Sequence, residues 1–129
     1  MWGRPPFWIA DNCAVDVRDL AAARDWYKQK LGLREIHDRK EDDSGRPFAD
    51  VCTSASRGLA GVCSLVELEP GAAATKQHVI FYTKKLEKTR QWLIDRGVAT
   101  EAITADSGGN RFFRFFDLDN NALEVCVEP

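Results

Sequence analysis

Residues His78 to Val98, HVIFYTKKLEKTRQWLIDRGV, read as a strand running into an amphipathic helix, and an earlier stretch, Asn12 to Lys30, NCAVDVRDLAAARDWYKQK, repeats that reading. In the register that joins them, Leu20 falls opposite Leu86, Arg24 opposite Arg90 and Trp26 opposite Trp92, while Val15 and Val17 meet Phe81 and Thr83. Each copy is a short alternating run followed by apolar residues at helical spacing: Leu20, Ala23, Tyr27 and Leu31 in the first, Leu86, Thr89 and Leu93 in the second. The chain reads as two copies of one unit.

A length of 129 residues fits one domain and is too short for two independent cores, so the copies must share one. Hydrophobic residues make up 44% and charged residues 29%, with a formal net charge of -2. These are ordinary values for a globular protein. Basic residues are scattered among acids, as in RDLAAARD and HDRKEDD, which leaves no basic face for nucleic acid. The first residues, MWGRPPFW, lack the apolar core of a secretory signal, and no apolar run is long enough to span a bilayer, so a cytoplasmic location is expected, without a membrane partner. Cys13, Cys52, Cys63 and Cys126 lie apart in strand-like segments with no CxxC pair, the pattern of buried free thiols in a reducing compartment.

Phe7 to Val17 reads as one strand with Cys13, Val15 and Val17 on its apolar face. Asp19 is placed to cap a helix from Leu20 to Leu31, which Gly32 ends. Strands over Leu33–Lys40, Phe48–Thr53 and Leu59–Leu68 follow, separated by the turn-rich EDDSGRP and SASRG. Pro70 to Gln77, PGAAATKQ, is small and aperiodic and reads as a linker. The order then recurs: strand His78–Thr83, helix Leu86–Arg96 stopped by Gly97, and strands Ala99–Thr104, Arg111–Phe116 and Ala122–Val127. Lys85 stands where Asp19 stood, so the second helix lacks the same side-chain cap.

Three segments, VRDLAAARDWYKQKLGL, HVIFYTKKL and FFRFFDLDNNALEV, resemble the strand-helix junction, second-module opening and closing hairpin of the vicinal oxygen chelate superfamily. That family includes glyoxalase I, extradiol dioxygenases, fosfomycin resistance enzymes and bleomycin resistance proteins. The resemblance implies an α+β fold in which two βαβββ modules, with curved mixed sheets, enclose a cleft. Residues 1–129 then form one domain, with module one over about 7–69, a linker at 70–77 and module two over 78–128. For a chain of this size it also implies a homodimer.

In that family the cleft holds a divalent metal on side chains from the first and last strands of the modules. His78 and Glu124 stand at matching positions, whereas Asn12 occupies a place where a histidine or carboxylate is usual. An amide oxygen is a poor ligand for a transition metal. Superposing VELEP on VCVEP sets Leu65 opposite Glu124, and Glu67, two residues on and so on the same face, is the carboxylate expected to complete the set. A His78, Glu67, Glu124 site would suit Zn, Ni, Mn or Fe, and either glutamate could double as the proton-transfer base.

The residues also carry a metal-free reading. Alternation sends Glu124 to the face opposite Leu123 and Val125, beside Cys126, and a carboxylate lining a cleft needs a metal or a cationic partner. Arg114 shares a face with Phe112 and Phe116 and could pair Glu124 or receive a ligand carboxylate. Trp8, Phe48, Phe112 and Phe116 are candidates to line a pocket for a flat or apolar ligand, with Asn12 as a polar contact. His37, between Glu35 and Asp38 in a charged run, belongs at the surface. Two functions remain open: a metal-dependent lyase or isomerase acting on a substrate with adjacent oxygens, or a metal-free ligand-sequestering protein of the bleomycin resistance type. The missing first histidine disfavours a dioxygenase.

Overall fold

The computed structural model describes residues 5–37, 45–53, 61–74 and 79–129. Its elements are β1 (Phe7–Ile9), β2 (Cys13–Val17), α1 (Leu20–Leu31), β3 (Arg34–Ile36), β4 (Phe48–Cys52), β5 (Cys63–Glu67), β6 (Val79–Thr83), α2 (Leu86–Asp95), β7 (Thr104–Ala105), β8 (Arg111–Phe116) and β9 (Ala122–Val127). After β1 the order is βαβββ, twice. Each helix starts three residues beyond its opening strand, so the expected repeat register holds.

Helix α1 begins where the side chain of Asp19 accepts the Ala22 amide at 3.1 Å and ends at Gly32, whose φ of 67° a side chain would strain. Ala23, Tyr27 and Leu31, four residues apart, form its buried stripe. Helix α2 has no side-chain cap at Lys85, as its sequence predicts. Thr83 instead accepts the Lys85 amide at 3.1 Å, and Thr89 donates to the Lys85 carbonyl at 2.8 Å. Its buried stripe is Leu86, Thr89 and Leu93.

Two sheets result. One has the order β2-β5-β4-β3 and the other β1-β6-β9-β8-β7. In both modules the opening strand lies parallel to the last, Val17 beside Glu67 and Thr83 beside Val127, and the remaining pairs are antiparallel. The architecture is the expected α+β pair of βαβββ modules, with β1 added to the second sheet.

That addition corrects the reading of Phe7–Val17 as one strand. The segment is two strands in different sheets. Ala10 donates to Ile80 at 3.0 Å and Cys13 to Val62 at 3.0 Å, so within three residues the backbone changes partners. Alternation continues across such a switch, which is why the pattern alone does not reveal it. The expected strand over Ala99–Thr104 shrinks to Thr104–Ala105 plus an isolated bridge between Thr100 and Phe115. Of the expected strands Leu33–Lys40 and Leu59–Leu68, residues 38–40 and 59–60 lie outside the described residues.

The core lies between the helices and the inner sheet faces, where Ile9, Val15, Tyr27, Leu65, Phe81, Leu93, Phe113 and Val125 have no exposed surface. Each such large apolar side chain contributes about 1.5–3 kcal/mol by leaving water. Trp26 and Trp92 play matching parts in the two modules, each half-buried with its ring edge-on to a core aromatic, Tyr27 and Phe7 respectively. The β8–β9 turn joins the modules, with Asn121 donating from Nδ2 to the Asp16 carbonyl at 2.9 Å. Among the described residues no helix is long and apolar enough to cross a membrane.

Candidate functional site

In the five-stranded sheet, period-two alternation separates a core face from an open one. Phe7, Ile9, Val79, Phe81, Phe113, Phe115, Leu123 and Val125 point to the core. The alternate positions make up the other face: Trp8 on β1, Ile80 and Tyr82 on β6, Glu124 and Cys126 on β9, and Phe112, Arg114 and Phe116 on β8. All are half-buried except Arg114, which is exposed. Five of the expected site residues, Trp8, Phe112, Arg114, Phe116 and Glu124, thus share one surface.

An open depression of about 620 Å³ lies on this surface, lined by Ile80, Tyr82, Cys126 and Val127 from the strands, by Asp106, Gly109, Asn110 and Arg111 from the β7–β8 hairpin, and by Glu128 and Pro129. Trp8 meets Tyr82 edge-on at 6.5 Å between ring centroids, so an aromatic pair borders it. The hairpin is held by Asp106, whose carboxylate accepts the amides of Gly108 and Asn110 at 2.9 and 3.0 Å and the Asn110 side chain at 3.1 Å. Those bonds, the Asn110 amide foremost, hold the Asp106 carboxyl below the usual carboxylate range. Tyr82 and Ile80 were not among the expected site residues, and Cys126 was expected beside Glu124 but given no role there. The signal was present: in VIFYT the residues alternate with the core-facing Phe81, just as Glu124 alternates with Val125.

Cys126 donates its thiol to Glu124 at 3.2 Å. Burial, reinforced by that carboxylate, pushes the thiol up to about 12, so at neutral pH it is a hydrogen-bond donor and no nucleophile. Arg114, considered as a partner for Glu124, lies directly across from it in the β8–β9 register but forms its ion pair with Glu101 at 2.8 Å. Arg111 is paired likewise, with Glu87 at 2.5 Å.

Of the donor set expected for a metal, the two described members, Glu67 and Glu124, lie on different kinds of face in different sheets. Glu67 lies on the core side of β5, in step with the buried Cys63 and Leu65 beneath α1, and its Oε2 accepts the Leu20 amide at 2.9 Å. The sheet register explains the misplacement. Val17 pairs with Glu67 and Thr83 with Val127, so the counterpart of Glu124 is Ser64 and not Leu65. A one-residue slip in superposing the two modules exchanges faces. Asn12 is exposed, and its Oδ1 accepts the Val62 amide at 2.8 Å, a bond that fixes the entry to β5. His78 lies outside the described residues. Among the described residues no group of three or more His, Cys, Asp or Glu side chains is arranged to hold a metal ion.

Phe48 belongs to the other sheet, across from Val66, on the face that also carries Asp50 and Ser64. There Ser64 donates to Asp50 at 2.6 Å and Arg46 pairs with Asp16 at 3.6 Å. By register Phe48 is the counterpart of Phe112, and Asp50 that of Arg114. The two modules therefore present faces of the same layout and different chemistry. His37 is exposed beside Glu35, as expected.

Comparison with known proteins agrees with this architecture. The uncharacterized protein YwkD of Bacillus subtilis (strain 168) is 28% identical over 126 residues, covering 88% of this chain and 92% of its own. An integron cassette protein, HFX_CASS4, from the mobile metagenome of the Halifax Harbour sewage outfall superposes with a TM-score of 0.73 at 24% identity, over 92% of this chain and 97% of the other. TnmS3, an antibiotic-binding protein from Streptomyces sp. CB03234, superposes with a TM-score of 0.69 at 21% identity, over 93% and 95%. The family model described as Glyoxalase/Bleomycin resistance protein/Dioxygenase superfamily matches residues 9–125, both modules included. The chain belongs to the Glyoxalase/Bleomycin resistance protein/Dioxygenase superfamily.

Proposed function

We propose that this chain is a metal-independent small-molecule-binding protein that holds a flat ligand on the open face of its five-stranded sheet. One observation carries the proposal: aromatic and apolar side chains, Trp8, Ile80, Tyr82, Phe112 and Phe116, are left half-buried on one sheet face, where Ile80 and Tyr82 line a depression whose thiol, Cys126, is occupied as a donor to Glu124. Such a surface supplies ring contacts and few reactive groups, which suits sequestration. Likeness to TnmS3 is a likeness of fold at 21% identity, and the fold accommodates that use. We read the protein as a homodimer in solution, and a monomer mass in light scattering would overturn that part.

The test is a fluorescence titration with an acridine-ring probe. Saturable quenching of tyrosine and tryptophan emission is expected, weakened at least about tenfold in Tyr82→Ala, whose ring is removed from the surface. Absence of saturable binding, or unaltered binding in the variant, would sink the proposal.

The rival, a metal-dependent lyase or isomerase, rests on Glu124 facing the same surface. Metal analysis after loading with Zn, Ni, Mn and Fe separates the two. Stoichiometric metal that disappears in both His78→Ala and Glu124→Gln would favour the enzyme over the binder.

A further inference from the structure

The charges around the depression are unequally committed. Three charged side chains line it: Asp106, Arg111 and Glu128. Arg111 is neutralised by Glu87, and Arg114, on the same sheet face, by Glu101. Asp106 is kept ionised by the amides that hold it, and Glu128 has no ion-pair partner among the described residues. Glu128 also continues the β9 alternation of Glu124 and Cys126, which brings it to the open face at the end of β6 bearing Tyr82, where its amide donates to the Thr83 carbonyl at 2.9 Å.

The Tyr82 ring lines the depression with these carboxylates, and Trp8 is set edge-on to it at 70°. Two rings at such an angle offer a cation one electron-rich face and one wall. Among the described residues, the arginines of this face, Arg111 and Arg114, would each have to leave an ion pair, to Glu87 or Glu101, before answering an anionic ligand.

We infer that the depression selects an organic cation: a planar or compact ligand whose protonated amine or quaternary ammonium sits against Tyr82 and is countered by Glu128 and Asp106. This inference rests on the small-molecule reading above and adds the charge of the ligand to it. A charged nitrogen over an aromatic face and near an unpaired carboxylate is favoured twice, by the ring quadrupole and by Coulomb attraction in a partly shielded site. A neutral ring gains only the stacking contact.

The experiment compares three probes of one shape in mildly alkaline buffer: 9-aminoacridine as the cation, acridine as the neutral ring and acridine-9-carboxylate as the anion. The cation is expected to bind at least about tenfold more tightly than acridine, and the carboxylate more weakly than either. Glu128→Gln should lower the ratio of cation to acridine affinity severalfold, and Glu128→Lys should reverse it. Added salt should weaken the cation alone. Equal affinities for all three probes, or a preference untouched by both Glu128 variants, would overturn the cation inference and leave the binding face standing. Failure of every probe to bind would overturn both.

Discussion

Tyr27, in the middle of α1, donates its hydroxyl to the carboxylate of Asp117 at 2.5 Å, although 90 residues separate them. Asp117 begins the β8–β9 turn and also accepts the amides of Asp119 and Asn121 and the Asn121 side chain. One carboxylate therefore shapes the closing hairpin of module two and ties it to the helix of module one. Removing the hydroxyl leaves a buried acceptor short of one donor, and Tyr27→Phe should cost about 1–3 kcal/mol. Urea unfolding of Tyr27→Phe, Asp117→Asn and the double variant measures it. A coupling energy near zero would show that the two side chains do not act as a pair.

The same contact sets an alkaline limit. Burial above all, then neighbouring negative charge that includes Asp117, raises the Tyr27 phenol well above its usual 10.0. A raised folded-state value means that the folded chain holds this proton more tightly than the unfolded chain. The stabilisation is complete below about pH 10 and is lost as pH rises toward the folded value. Thermal midpoints should stay level on this account through neutral pH and fall above the ordinary tyrosine range, and Tyr27→Phe should remove that part of the slope.

Glu67 should matter for folding and not for binding. Its carboxylate accepts the first amide of α1 alongside the Asp19 cap, where helix amides have no intrahelical partner. Glu67→Ala should lower stability by about 0.5–2 kcal/mol, as loss of an N-terminal cap does, and leave acridine binding as in the parent. A loss of probe affinity at unchanged stability would return Glu67 to the site.

Much of this fold was legible because it depends on local signals that repeat. The α1 limits, the β8 and β9 limits and the buried stripe of α2 follow from Asp19, Gly32 and spacing alone. The site was less legible, for a geometric reason. A module's last strand can be superposed on its counterpart by composition, as VELEP on VCVEP, yet hydrogen-bond register decides which residues face out, and that register is set across the sheet by β2 and β6. One residue of slip separates Ser64, the true counterpart of Glu124, from Leu65, and so sends Glu67 beneath the helix. The jump of β1 to the second sheet was hidden for the same reason, because Trp8 and Tyr82 become neighbours only through pairing distant in sequence.

Cys126 should resist alkylation. Its thiol is raised to about 12 by burial and by the Glu124 carboxylate that accepts its proton. In native protein at pH near 9, iodoacetamide should label it at least about tenfold more slowly than in denaturant, since the thiolate is the attacking form. Glu124→Gln should raise the native rate. Peptide mass spectrometry separates this site from the other three cysteines, and equal native and denatured rates would contradict the hydrogen bond.

Gly61 should be the least tolerant position near the sheet crossing. Its amide donates to the Ile9 carbonyl at 3.2 Å, and a methyl group there would collide with the Asp11 carbonyl group and lie 2.8 Å from Ile9 Cγ2. Backbone cannot rotate aside as a side-chain tip can, so Gly61→Ala must push the Ile9–Asp11 segment away and strain the passage from β1 to β2. A cost of about 1–3 kcal/mol is expected from such overpacking, read as a lower urea midpoint at unchanged slope. Trp8 rides on the displaced strand, so acridine affinity should fall in the same variant, whereas Gly71→Ala, in a turn where an added methyl meets nothing within 4 Å, should leave affinity intact despite strain at its φ of 83°. If Gly61→Ala loses stability but binds the probe like the parent, β1 does not set the binding face.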